Sequence, residues 1–76
     1  MPGIELDGFQ FRVFYNDGGN PHVHFIHDGA NYRIFIDGSP SEPKHGRLKR
    51  SVVARAERTV AKNRETLLAL WSKCQE

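Results

Sequence analysis

All seven glycines and all four prolines of this chain fall within residues 1–46, and none interrupts residues 47–75. That division limits the fold more than any other feature. Glycine and proline break helices and mark turns, so the first part reads as short strands joined by turns. The second reads as helix. Within 47–75, Val53, Ala56, Val60, Leu67, Leu70 and Cys74 recur at spacings of three, four and seven. Val52 and Trp71 widen them into one apolar stripe of the kind that lies on a core. Asn63 occupies the stripe position between Val60 and Leu67. The expectation is one long helix, kinked or broken near Asn63.

In the first part, Phe9, Phe11, Val13 and Tyr15 alternate with Gln10, Arg12, Phe14 and Asn16, a period of two that predicts a strand. Ile4–Leu6 forms a short strand before it, joined by a tight Asp7-Gly8 turn. The run Asn16-Asp17-Gly18-Gly19-Asn20-Pro21 consists of turn formers and forces a loop. His22–His27 and Tyr32–Ile36 read as a hairpin around Asp28-Gly29-Ala30-Asn31. Pairing about that turn sets His27 opposite Tyr32, Phe25 opposite Ile34 and Val23 opposite Ile36, all six on the face suited to the helix. The other face carries His22, His24, Ile26, Arg33, Phe35 and Asp37. Residues 37–46 read as a loop, since Pro40 and Pro43 exclude a helix or a central strand.

The predicted class is α+β in a single domain, 1–76. A small antiparallel meander of three to four strands (1–36) leads through a loop (37–46) to the covering helix (47–75). A chain this short buries only about 60% of its unfolded surface, so Trp71 counts as core. Leu68 lies off the stripe and is the better interface candidate. Cys74, the one cysteine, supports no disulfide and fits a reducing compartment. No run of about 18 apolar residues is present, and the first residues lack a signal peptide's basic head and apolar core. The expectation is a cytoplasmic protein without a membrane partner.

Charge is segregated. Residues 1–43 hold six acids and two bases, a net −4, and residues 44–64 hold eight bases and one acid, a net +7. Such asymmetry suggests an anionic partner or a self-complementary assembly; the plainer reading is a solvated helix face. Arg55, Arg58 and Lys62 lie opposite the apolar stripe and form a basic ridge with Arg47. Lys49 and Arg50 crowd the helix N-terminus, where positive charge opposes the macrodipole and an anion would be welcome. These six are the candidate nucleic-acid- or partner-binding residues. No recognition signature for a specific sequence accompanies them.

The order Asn16-Asp17, then Asn20-Pro21-His22-Val23-His24, resembles the small bacterial family catalogued as domain of unknown function 4160. Met1-Pro2 at the start, the aromatic strand Phe9–Tyr15, and Asn63-Arg64-Glu65-Thr66-Leu67-Leu68-Ala69-Leu70-Trp71 near the end are similar to its other elements. The sequence departs from it in Asn20-Pro21 in place of a double proline, in an unusually polar loop from Asp37 to Gly46, and in a more basic segment before Asn63. The resemblance implies one half of a two-gene, toxin–antitoxin-like pair, hence a protein-binding or regulatory role, and no reaction.

His22 and His24 are the sharpest chemical feature. At i and i+2 on a strand their side chains point the same way, about 6.5–7 Å apart. Three readings are open. They can hold a divalent metal, with Asp37 as third ligand and Asp17 or His45 as further candidates. They can act as acid and base of a small RNase-type toxin, with Arg12 or Arg33 on the phosphate. Or they close the loop structurally. His27, beside the turn on the apolar face, reads as structural. The expected function is a non-enzymatic binding module without a cofactor, with a protein partner, non-specific nucleic acid or a homo-oligomer as the assemblies to consider. A histidine-dependent RNase and a mobile-element-encoded inhibitor of a host complex are the alternatives.

Overall fold

Asp7-Gly8 and Asp28-Gly29 both adopt left-handed backbone, with φ of 53° and 80° in the first pair and 46° and 77° in the second. That is the geometry of a type I′ turn, whose twist matches the strands it joins. In the computed structural model, which describes residues 3–15 and 18–75, these turns close two hairpins. The first joins β1 (Gly3–Leu6) to β2 (Phe9–Arg12), and the second joins β3 (His22–His27) to β4 (Ala30–Phe35). A fifth strand, β5 (Glu42–His45), follows, then helices α1 (Arg50–Lys62) and α2 (Arg64–Cys74). The sheet is an antiparallel meander in the order β1-β2-β3-β4-β5. The α+β class and the meander agree with the sequence reading.

Several details differ. Among the described residues the sheet has five strands, not three or four. β5 lies inside the segment expected to be loop, pairing Glu42 with Arg33, Pro43 with Tyr32 and His45 with Asn31 across an irregularity at Asn31/Tyr32. Its four side chains are all exposed, so it carries no alternation, and an edge position tolerates its proline. The second hairpin turns over two residues rather than four, which places His27 opposite Ala30, Phe25 opposite Tyr32 and Val23 opposite Ile34. The shift is two residues, so the face assignment survives; a shift of one would have inverted it. β2 ends at Arg12, short of the expected Tyr15.

The single helix is two. Asn63 (φ −114°, ψ 27°) leaves helical geometry, and its side-chain Nδ2 donates to the Thr59 carbonyl at 2.8 Å. Its own carbonyl accepts the Leu67 N–H, so the chain turns there with its backbone groups satisfied. α1 starts at Arg50, three residues later than expected.

The core joins Phe9, Phe11, Val23, Phe25, Tyr32 and Ile34 of the sheet to Ala56, Val60, Leu67, Trp71 and Cys74 of the helices. Phe25 lies at its centre, with ring centroids 5.1 Å from Phe9 and 5.4 Å from Phe11. Trp71 is core, as expected, and Leu68 is exposed. Among the described residues, no helix is long and apolar enough to cross a membrane.

Candidate functional site

His22 and His24 leave β3 on the face opposite Val23 and Phe25. Their ring centroids are 5.3 Å apart at an interplanar angle of 72°. Side chains of distant segments enclose them. Phe14 lies 4.3 Å from His24, and Trp71 of α2 lies 4.8 Å from His22. The histidines are therefore only 2% and 5% exposed. His22 Nδ1 lies 2.7 Å from the Asn20 carbonyl, which only accepts. The bond therefore requires a proton on Nδ1. With the Ile36 N–H donating to the Pro21 carbonyl at 3.0 Å, this bond fixes how the loop enters β3.

Asp37 and His45, two of the candidate third metal ligands, do not complete a site with the histidines. Asp37 Oδ1 accepts the Ser39 backbone N–H at 2.8 Å. That N–H, with the Ser39 hydroxyl behind it, holds the Asp37 carboxyl below the usual carboxylate value. His45 sits exposed on β5. Asp17 lies outside the described residues. Among the described residues, no group of three His, Cys, Asp or Glu side chains is placed to hold a metal ion. Burial also weighs against nuclease chemistry, because a general base must reach the proton it abstracts. Arg33 Nη1 is 3.3 Å from Glu42 Oε1 and is directed along the sheet.

The six basic candidates fall into two groups. At about 100° per residue, Arg50, Arg58, Lys62 and Arg55 occupy an arc of about 140° on α1, away from buried Ala56 and Val60. Arg55, Arg58 and Lys62 border a cleft with Asp7, Phe9 and Thr59. There the Arg55 guanidinium carbon lies 5.1 Å from the Phe9 ring centroid, and Lys62 Nζ is 2.8 Å from Asp7 Oδ2. Arg47 and Arg50 border a second groove, beside Tyr32 and Pro43. Lys49 is the N-cap of α1 without a side-chain capping bond, and no acid occupies the first turn. Among the described residues, Arg47, Lys49, Arg50, Arg55 and Arg58 form no ion pair.

Sequence reasoning missed Asp7 and Thr59. Thr59 is buried, with its hydroxyl 3.0 Å from the Arg55 carbonyl and 3.2 Å from Asp7 Oδ2. Its one-residue offset from the apolar stripe was the only signal. Lys62, chiefly through its hydrogen bond and then its charge, holds the Asp7 carboxyl below the usual value, and Thr59 and Arg55 add to this. A depressed folded pKa contributes stability that is present above the unfolded carboxylate pKa of about 3.9 and is lost as pH falls through the folded value. Asp7→Asn keeps a residue that tolerates left-handed backbone. Its urea midpoint should lie below the wild type's at pH 6, and the gap should narrow as pH falls below about 4 and close once it has passed the depressed folded value. A gap that persists in acid would assign the difference to the turn and not to the charge.

Comparison with known proteins places these features in a family. No curated protein and no solved structure matches the chain. One family model matches residues 8–72, from the β1–β2 turn to Ser72 of α2, and so takes in both the histidine pair and the basic helix. The chain belongs to the family described as domain of unknown function (DUF4160).

Proposed function

We propose that the chain is a non-enzymatic binding module of a two-gene, toxin–antitoxin-like system, and that it holds an anionic partner against α1. The observation that carries this reading is the row of Arg47, Lys49, Arg50, Arg55 and Arg58 at and along α1, which form no ion pair among the described residues. Arg50 to Arg58 spans about 12 Å of helix, long enough to meet several charges at once. Lys49 and Arg50 add positive charge at the positive end of the macrodipole, an arrangement that costs stability unless an anion is near. The buried histidines serve the fold of this module, by tying the loop before β3 to α2.

The partner is nucleic acid or an acidic protein, and salt dependence separates the two. Contact with about four phosphates of duplex DNA gives a log–log salt slope of about −3.6. Changing Arg55 and Arg58 together to Gln should then lower affinity uniformly across sequences and flatten the slope by about 1.8. Fluorescence anisotropy over a salt series, with labelled duplex DNA and RNA, measures both. The fold should survive, because both side chains are exposed. Failure of both nucleic acids to bind at low salt would remove them as partners. Failure of the neighbouring gene's product to bind as well would sink the module reading.

A further inference from the structure

We infer that the groove between β5 and the start of α1 binds a segment of a partner protein that carries apolar side chains next to acidic ones. The inference rests on the reading of the chain as a module for an anionic partner, and it selects protein over nucleic acid for this surface. The groove has a volume of about 590 Å³, within the range of 300–1,000 Å³ usual for ligand pockets. Tyr32, Pro43, Leu48 and Val53 supply its apolar lining, and Arg47 and Arg50 supply its positive charge against the single acid Glu57. A phosphate backbone is held by cations and N–H donors, and an apolar lining offers it nothing. A protein segment can use both, with Leu, Ile, Phe or Trp entering the groove and Asp or Glu meeting the arginines.

The groove is organised before anything binds. The Leu48 N–H donates to the Tyr32 hydroxyl at 3.0 Å, which fixes two of its apolar members to each other. Glu57 also lines the groove and accepts the Ser41 hydroxyl, and the two arginines outnumber it. Arg47 and Arg50 form no ion pair among the described residues. A site held in shape loses less entropy on binding than one that must be ordered. Strand addition is not the mode. The outer edge of β5 contains Pro43, which has no N–H to offer, and Lys44, whose charge guards an edge. Recognition is by side chains entering the groove.

Selection from a displayed library of random short peptides on the full chain tests this. The chain should enrich peptides in which Leu, Ile, Phe or Trp lies within a few residues of Asp or Glu. Synthetic copies should bind the variant Arg47→Glu/Arg50→Glu about tenfold more weakly or worse, because like charges then face each other across the contact. They should bind Lys73→Gln, an exposed position on α2 that does not border the groove, as tightly as the wild type. Arg47 and Arg50 are exposed, so the charge reversal should fold, and a thermal melt verifies it. Pro43→Asp, on the exposed edge strand, should weaken binding similarly and supplies the same answer should the double variant melt early. Enrichment of basic or purely polar peptides, or of none above an unrelated bait, would overturn the inference. So would acidic peptides that weaken with Arg55→Gln/Arg58→Gln and not with Arg47→Glu/Arg50→Glu. That last result would leave the anionic-partner reading intact and move the contact to the other cleft.

Discussion

Trp71→Ala should cost about 3–5 kcal/mol in a urea or thermal unfolding measurement, as large aromatic truncations in cores do. The side chain is 7% exposed and lies against the His22 ring, so its removal opens the histidine face as well as the helix core. A 76-residue chain has a total stability of about 4–11 kcal/mol by ordinary scaling. The substitution therefore threatens folding at 37 °C. Trp71→Phe retains an aromatic contact with His22 and should retain most of the stability. A loss below about 1 kcal/mol for the alanine variant would place Trp71 outside the core and sever the link between α2 and β3.

Phe25→Ala should be of similar size, about 3–5 kcal/mol. Phe25 is fully buried on the central strand, with Phe9, Phe11 and His27 within 5.5 Å of its ring centroid. Because Phe9 and Phe25 meet edge to face, the double variant Phe9→Ala/Phe25→Ala should cost less than the two single losses added together. Phe14→Ala, at a half-buried position on the histidine face, should cost clearly less than Phe25→Ala. The reverse order would mean that the histidine face, rather than the face under α1, is the main core.

These two substitutions separate what burial does from what charge does. Arg50, Arg55 and Arg58 lie on the side of α1 away from Ala56 and Val60, so changing them should leave stability within about 0.5 kcal/mol while altering partner binding. Lys62 belongs to both categories, because its ion pair with Asp7 joins α1 to the β1–β2 turn.

The division of the chain into strands and helix was legible because glycine and proline act through local backbone geometry. The same holds for the Asp-Gly turns, whose left-handed dihedrals suit few other residue pairs. Face assignment was legible as well, since alternation in a strand and three-to-four spacing in a helix are local properties. Hairpin register was not. A two-residue and a four-residue turn around Asp28-Gly29 present the same faces, and only the closed ladder distinguishes them. β5 was hidden because its side chains are all exposed and its pairing comes from backbone groups, which leave no side-chain pattern.

Tertiary structure also decided what became of the two features with most chemical promise. Alternation put His22 and His24 on one face of β3 but named no cover for that face. The cover comes from Phe14, just beyond β2, and from Trp71, which arrives because the chain turns at Asn63. Periodicity identified Arg55, Arg58 and Lys62 as a ridge opposite the apolar stripe. Only packing against the β1–β2 turn supplied Lys62 with a carboxylate and Arg55 with an aromatic ring, and so left Arg58 and the helix start as the uncompensated charge. Sequence set these residues by periods of two and 3.6, which are properties of single elements. Partnership between elements depends on where the chain bends, and that is settled by which surfaces can be buried together.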